Sequence, residues 1–332
     1  MVVALGGVGG GRTASDPDQR QQRRNGMDEM LKRYEILCDE DVLGNGIEDE
    51  RKLRGIYYKT TSYRSGKMLE IESYPMLCGE MAKQVRKIEV SREAQKKLNQ
   101  KNAEKKMLRL AEANFGEKDY KVDVTFEGEE LPTLESVQKE MAAFINRINY
   151  RRKKNGIESV KYIYVIEGSE EGSRKKRLHA HMIIDGLMDG DEYREIWGKG
   201  RCNVMRLDPN GFGGLKRLVS YMSKDPKGKK RWCSSRNLTK PTVTVAKRKI
   251  SSRQAQTVAE DVAGRKAFLE KKYPGYIVDD VEVKTNPYIP GFYIYAMMHK
   301  KPTESERRTQ KARKAREIET MRRKRHEKAG AD

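Results

Sequence analysis

The feature that most constrains the fold of this chain is a regular succession of strand and helix patterns between residues 121 and 224. KVDVTF at 121–126 is typical of a strand. Residues 133–154 carry apolar side chains at helical spacing, which predicts an amphipathic helix. The apolar face of that helix consists of Leu134, Val137, Met141, Ile145 and Ile148.

The succession continues across a polar, glycine-bearing loop. The sequence predicts strands at 160–168 and 177–186, then a short helix at 190–197, a strand at 201–207 and a helix at 214–224. The resulting order, β-α-β-β-α-β-α, predicts an α+β fold. Its centre would be a small antiparallel sheet with flanking helices on one face, in an RRM-like or ferredoxin-like arrangement.

The remaining patterns predict additions to this core. Residues 55–76 contain a Ser-Gly turn signal between β-branched and aromatic residues, which predicts an extra β-hairpin. Residues 91–112 are highly charged and predict a helix on the surface or on a ligand. Farther on, residues 253–272 are typical of a helix, and 276–298 are typical of strands.

These patterns divide the chain into three segments. Residues 1–54 are Gly-rich and polar and predict a disordered or peripheral N-terminal segment. Residues 55–301 form the predicted domain, with its core at 120–241. Residues 302–332 predict a basic helical tail without an apolar face.

Charge indicates the partner. The chain of 332 residues has 70 Lys and Arg against 49 Asp and Glu, a formal charge of +21, so it should bind polyanions, most simply nucleic acid. The sequence has no apolar run of the length that a membrane span requires and no convincing export signal. Its four cysteines form no CxxC pair. We therefore expect a reduced, cytoplasmic protein that does not contact a membrane.

Two of the four histidines, His179 and His181, lie two residues apart in the strand RLHAHMIID. Side chains at i and i+2 of a strand project from the same face, so both imidazoles should lie together. A hairpin with the preceding strand would bring Glu167 beside them. Two imidazoles and a carboxylate can hold a divalent cation, Mg²⁺ or Mn²⁺, as a Lewis acid. The alternative is that the histidines are hydrogen-bonded residues of the core.

Tyr221 and Lys224 lie three residues apart on the helix predicted at 214–224 and should share a side of it. A tyrosine hydroxyl aimed at a phosphodiester can act as a nucleophile and form a phosphotyrosine. A nearby lysine can orient the attacking oxygen or stabilise charge in the transition state. By spacing alone, Tyr221 could equally be one of 16 tyrosines that pack under the sheet.

A basic segment follows this helix. Cations there can bind phosphates, and an indole can stack on an unpaired base or pack in the core. The candidate DNA-binding residues are Lys229, Lys230, Arg231, Trp232 and Arg236.

Three motifs in order, DVTF, then VIEGSEEG and LHAH, then YMSK, resemble those of HUH-superfamily endonucleases. More narrowly, the chain resembles rolling-circle replication initiators of the filamentous-phage gene-II type and of Firmicutes phages and plasmids. The resemblance covers roughly residues 55–300 and is best at 120–241. It implies an HUH endonuclease core, with His179, His181 and, less directly, Glu167 as metal ligands. It also implies Tyr221 as the nucleophile and Lys224 as the helix lysine.

The resemblance further implies that Thr125 and Phe126 lie under the DNA. The protein would nick single-stranded DNA at a replication origin through a 5′-phosphotyrosine, leave a 3′-OH for a host DNA polymerase, and rejoin the ends later. Two-tyrosine initiators carry a second tyrosine at i+4, where this chain has Asp225. No Walker motif follows, so a host helicase would unwind the template.

Two other interpretations fit parts of the sequence. An HUH transposase or relaxase shares the motifs, although relaxases usually use three histidines. A noncatalytic RRM-like module would bind RNA through exposed aromatic residues on its central strands, where this chain carries His179, His181 and Glu167.

Overall fold

The computed structural model describes most of the chain from residue 56 onward. The described residues are 56–76, 92–127, 132–168, 177–209, 214–224, 226–227, 230–285, 290–308, 311–312, 315–316 and 319. The predicted segment 1–54 and Lys229 lie outside them. Among the described residues, no helix has the length and apolar character needed to cross a membrane.

The elements alternate along the chain much as the sequence predicts. They are β1 (Tyr57–Ser65), β2 (Met68–Met76), α1 (Arg92–Asn114), β3 (Tyr120–Val124), α2 (Leu134–Lys154), β4 (Tyr162–Glu167), β5 (His179–Ile184), α3 (Gly190–Trp197), β6 (Cys202–Arg206), α4 (Gly214–Met222), β7 (Cys233–Ser234), β8 (Thr242–Lys247), α5 (Ser252–Glu260), α6 (Arg265–Lys272), β9 (Tyr276–Thr285) and β10 (Phe292–Lys300).

The predicted core forms a five-stranded sheet in the order β6-β3-β5-β4-β7, which we call the histidine sheet. All its pairings are antiparallel, and β5 lies at its centre. This arrangement confirms the α+β class and the antiparallel core and is compatible with a ferredoxin-like fold.

One face of the histidine sheet is covered by α2 and α3. The α2 helix begins after Thr133, whose hydroxyl accepts a hydrogen bond from the backbone N–H of Ser136. Its predicted apolar face buries Val137, Met141 and Ile148 against the sheet. Ala180 projects into this same cluster from the middle of β5.

The opposite face of the histidine sheet is also covered, by α1 and α4. Ile163, Val165 and Ile183 project from that face into a second apolar cluster, which includes Met107 of α1 and Val219 of α4. The prediction of helices on one face was therefore incomplete. The α1 helix lies between two sheets rather than on the surface, because its sparse apolar residues align on one side despite the many charges around them.

The second sheet, which we call the accessory sheet, has the order β8-β1-β2-β10-β9. The predicted hairpin supplies β1 and β2, and the distant β10 pairs with β2. The helix predicted at 253–272 is divided into α5 and α6, because the chain turns at Asp261, whose carboxylate accepts from the N–H of Gly264. The described parts of the tail include a helical turn at 304–308.

Candidate active site

The two histidines project together from the central strand of the histidine sheet, as strand alternation predicts. His181 is 4% exposed, whereas His179 lies at the open end of β5. The Nε2 atoms of the two rings are 3.2 Å apart. The structure therefore brings both nitrogens to one point at the edge of the second apolar cluster.

Glu167 joins them from the neighbouring strand. It is the direct cross-strand partner of His179, and it is 7% exposed. Its Oε2 lies 3.5 Å from the Nε2 of His181. The ligand atoms of these three residues all lie within 4.8 Å of one another. The hairpin between β4 and β5 thus brings together the three residues that the sequence singled out as metal ligands.

The outer nitrogens of both rings are occupied. The Nδ1 of His179 lies 2.9 Å from the carbonyl oxygen of Arg177, and the Nδ1 of His181 lies 2.6 Å from Oδ1 of Asp123. Because both neighbours are acceptors, each Nδ1 carries the ring proton and donates it. Each Nε2 then presents a lone pair toward Glu167.

This donor set fits a divalent cation. Two lone pairs and a carboxylate oxygen converge with no proton between them, an arrangement that a bound cation would stabilise. Two ligands that are each about 2.1 Å from one ion, in tetrahedral or octahedral geometry, lie roughly 3.0–3.4 Å apart, which includes the separation of the Nε2 atoms.

Asp123 was not singled out from the sequence. It lies on β3 directly opposite His181 and holds that ring through its Nδ1 proton. Burial of the Asp123 carboxyl opposes its ionisation, but hydrogen bonds from His181 and Lys121 outweigh this effect and lower its pKa below the usual value. The anion is therefore maintained behind the histidine.

Tyr221 faces the same cluster from the end of α4. Its ring centroid lies 5.1 Å from that of His181, with the planes at 65°. The side chain is 53% exposed, so it does not pack under the sheet. Val219 and Met222 anchor the helix in the core and leave Tyr221 on the flank that faces solvent and the histidines.

The lysine in contact with Tyr221 differs from the expected one. The ammonium of Lys121 lies 5.3 Å from the centroid of the Tyr221 ring and 2.9 Å from Oδ2 of Asp123. Lys224 is exposed in the turn that follows α4, and its backbone N–H donates to the carbonyl of Tyr221. Helix α4 ends at Met222, two residues earlier than predicted, so helical spacing no longer fixes the side on which Lys224 lies.

The two residues of the first motif, Thr125 and Phe126, have different surroundings. Thr125 is exposed, and its hydroxyl donates to the carbonyl of Arg201. Phe126 packs edge-on against Trp197, with centroids 5.2 Å apart. Gly200 crosses directly behind this segment, where a Cβ would lie 2.5 Å from the carbonyl oxygen of Thr125. The bend after β3 therefore requires a glycine beside it.

The described part of the basic segment also divides into two kinds of residue. Arg236 and Lys230 are exposed, and Arg231 is partly exposed. Trp232 packs against the second apolar cluster and donates its indole N–H to the carbonyl of Ala103 at 3.1 Å. Contact with α1 accounts for the indole, whereas the exposed cations remain candidates for phosphate contact.

A signal for the two unpredicted residues was present in KVDVTF. Alternation places Lys121 and Asp123 on one face of that strand. What the sequence lacked was the register that sets β3 beside β5, because pairing between distant strands is not a local property.

The family model for replication-associated proteins of the ORF2 and gene-II-protein type matches residues 120–226, about a third of the chain. The matched segment contains Glu167, both histidines and Tyr221. This match supports a role as a rolling-circle replication initiator. Comparison with curated proteins and with solved structures finds no match.

Proposed function

We propose that this protein is a metal-dependent HUH endonuclease that nicks and rejoins single-stranded DNA at a replication origin through one tyrosine. The observation that carries the proposal is the position of the exposed Tyr221 ring, 5.1 Å from His181 in a Glu-His-His cluster. An exposed phenol beside a cation site is the arrangement that nucleophilic attack on a phosphodiester requires.

Glu167, His179 and His181 would hold the cation. When bound, a divalent ion supplies Lewis-acid polarisation of the scissile phosphate. Imidazole ligands suit transition metals better than Mg²⁺, which prefers oxygen, so Mn²⁺ is the better fit of the two ions expected. Asp123 fixes the tautomer of His181 and keeps its Nε2 directed at the ion.

The covalent step belongs to Tyr221. Its Oη attacks phosphorus and loses its proton, the bond from Tyr221 to phosphorus forms, and the bond from phosphorus to the 3′ oxygen breaks. The products are a 5′-phosphotyrosine and a 3′-OH, whose oxygen takes up a proton. Lys121 holds a positive charge against the Tyr221 ring, where it can stabilise charge in the transition state. Lys224 supplies a second cation at the mouth of the site.

Rejoining reverses these bonds. A 3′-OH attacks the phosphotyrosine, the DNA phosphodiester forms again, and Tyr221 leaves, so no nucleotide cofactor is consumed. Between the two steps the 3′-OH can prime a host polymerase while a host helicase unwinds the template. This proposal places the protein in the cytoplasm of a bacterial host, where a phage or plasmid replicates. A single tyrosine in this position also distinguishes the proposed cycle from one with two tyrosines on one helix.

The test is formation of a covalent adduct. Purified protein is incubated with Mn²⁺ or Mg²⁺ and with 5′- or 3′-labelled single-stranded oligonucleotides tiled across the DNA that flanks its gene. We expect a denaturing gel to show protein attached to the 5′ end of the downstream product, only when metal is present. Tyr221→Phe should abolish the adduct. Tyr150→Phe is the matched control, because Tyr150 is an exposed tyrosine on the far helix α2.

Three results would change the interpretation. An adduct that persists in Tyr221→Phe would assign the reaction to another tyrosine. Cleavage without any adduct would indicate hydrolysis by water. Binding of all oligonucleotides without cleavage would favour the noncatalytic nucleic-acid-binding alternative.

A further inference from the structure

A cavity of about 230 Å³ lies outside the candidate active site, where α1 and α4 meet the accessory sheet. Four lysines line it, two from α1, one from α4 and one from β9: Lys101, Lys105, Lys216 and Lys284. Two lining carboxylates accompany them, Glu104 and Glu282. Cations that converge from three separate elements differ from the solvated charged face of a single helix.

The lysines are held around the cavity in defined positions. The ammonium of Lys105 lies 3.0 Å from Glu72 and 4.5 Å from the centroid of the Tyr295 ring. Lys216 reaches Asp280 of β9 at 3.3 Å, and this pair is nearly half exposed on both sides. Exposed ion pairs contribute little to stability, so a phosphate can replace the carboxylate as a partner at small cost.

The lining carboxylates are already engaged. Glu104 accepts a hydrogen bond from the hydroxyl of Ser220, and Glu282 lies 3.7 Å from the ammonium of Lys284. Beneath them, Tyr293 and Tyr295 form the floor and are only 4% and 8% exposed. Because so little ring surface is open, the cavity suits a phosphate group better than a stacked base.

The cavity and the candidate active site share helix α4. Lys216 and Tyr221 are five residues apart, so their Cα atoms are separated by about 7.5 Å along the helix axis and lie on different sides of it. A strand whose scissile phosphate lies at Tyr221 would need to continue only a few nucleotides to reach Lys216.

We propose that this lysine-lined cavity is a second DNA subsite, which binds backbone phosphates of the strand that Tyr221 cleaves and does so without regard to base sequence. This inference rests on the proposed function, which it extends from the scissile phosphate to the flanking nucleotides. The lysines neutralise phosphates, release counterions and hold the strand in register on α4.

The test measures binding without cleavage. Fluorescence anisotropy with a labelled dT20 oligonucleotide gives affinity as a function of salt for the wild type and for Lys216→Ala/Lys284→Ala. We expect the slope of log affinity against log salt to fall by about 1.4, since each single-strand phosphate contact contributes about 0.7. Affinity in 0.1 M salt should fall roughly ten- to thirtyfold.

The matched control is Lys153→Ala/Lys154→Ala, which removes the same charge at the end of α2, on the opposite face of the histidine sheet. It should change the slope little. An unchanged slope in Lys216→Ala/Lys284→Ala, or an equal loss in both double variants, would overturn the subsite. Thermal unfolding midpoints of both variants show whether the fold is retained, and Lys216→Gln/Lys284→Gln repeats the charge removal with longer side chains.

The outcomes separate the two proposals. If the wild type forms the Tyr221 adduct and binds dT20, but the cavity variant binds equally well, only the subsite is wrong. If the wild type binds dT20 with the expected dependence on the cavity lysines yet forms no adduct, the subsite stands and the nicking proposal is wrong. If the wild type does not bind dT20, both proposals are wrong.

Discussion

At the scale of single residues, Asp123 has the most informative position. It contacts no proposed metal site directly, but it holds the Nδ1 proton of His181 at 2.6 Å and is itself held by Lys121. Carboxylates in this position orient a ligating histidine and raise its basicity. The metal affinity of the cluster should therefore depend on a residue outside the cluster.

We expect Asp123→Ala to lower Mn²⁺ affinity by about 10–100-fold, measured by titration calorimetry. Asp123→Asn should retain part of the affinity, because its amide oxygen can still accept the Nδ1 proton. Asp191→Ala, which removes an exposed carboxylate at the start of α3, is the control and should bind Mn²⁺ as the wild type does. Wild-type affinity in Asp123→Ala would show that His181 does not depend on this contact.

At the scale of elements, the turn between β1 and β2 fixes α1 against the accessory sheet. Gly66 has φ +57°, and a Cβ there would lie 2.2 Å from the carbonyl oxygen of Glu112 in α1. Glycine is required both by the left-handed conformation and by the close approach of the helix.

Gly66→Ala should lower the free energy of unfolding by about 3 kcal/mol, the sum of left-handed strain and the forced separation of α1 from the turn. Gly156→Ala isolates the first effect, because Gly156 has φ +68° with nothing within 4 Å of the added Cβ. It should cost only about 1 kcal/mol. Urea unfolding curves provide both values, and equal losses in the two variants would contradict the contact with Glu112.

The same end of α1 should respond to pH. Burial, together with the neighbouring Asp279, raises the pKa of Glu112 to about 7. The folded chain then holds a proton that the unfolded chain releases near its ordinary pKa. Stability contributed by this group is therefore complete below pH 4.5 and is lost as the pH rises toward 7.

Glu112→Gln should remove this loss. Relative to the wild type, the variant should gain roughly 2–3 kcal/mol in free energy of unfolding between pH 4.5 and pH 7.5. Urea unfolding across that range measures the difference. Glu93→Gln, at the exposed start of α1, is the control. A constant difference between Glu112→Gln and wild type at all pH values would mean that Glu112 does not titrate in this range.

The elements also bear on the RRM-like alternative. An RRM binds RNA on an open sheet face, with aromatic residues on the central strands. Here Ile163, Val165 and Ile183 of the central strands are buried beneath α1 and α4. The exposed end of that face carries the histidines and Tyr221 instead, which favours chemistry at the edge of the sheet over binding across it.

At the scale of the whole molecule, metal binding should be visible in global stability. A ligand that binds only the folded state stabilises it by about 2.7 kcal/mol at a hundred times its dissociation constant, which corresponds to a shift in Tm of about 5 °C. Differential scanning fluorimetry with Mn²⁺ should show this shift for the wild type.

The shift should be absent in His179→Ala/His181→Ala. His299→Ala is the matched control, since His299 pairs with Asp279 on the accessory sheet, away from the cluster. The control should keep the full shift. An equal shift in all three proteins would show that Mn²⁺ binds elsewhere.

The sequence by itself determined the local features of this protein. Strand alternation was enough to place His179 and His181 on one face and Ala180 on the other, because the direction of successive side chains depends only on the local backbone. Helical periodicity likewise identified the buried face of α2, and the order of elements predicted the α+β class and the antiparallel core. The Ser-Gly turn marked the hairpin of β1 and β2.

Only the tertiary structure decided which distant segments meet. It set β3 beside β5, which brought Asp123 to His181 and Lys121 to Tyr221, and it ended α4 before Lys224. It also inserted α1 between two sheets and so enclosed the lysine-lined cavity. Strand register and helix docking depend on packing between residues that are far apart in sequence, and no local periodicity encodes which partners will be chosen.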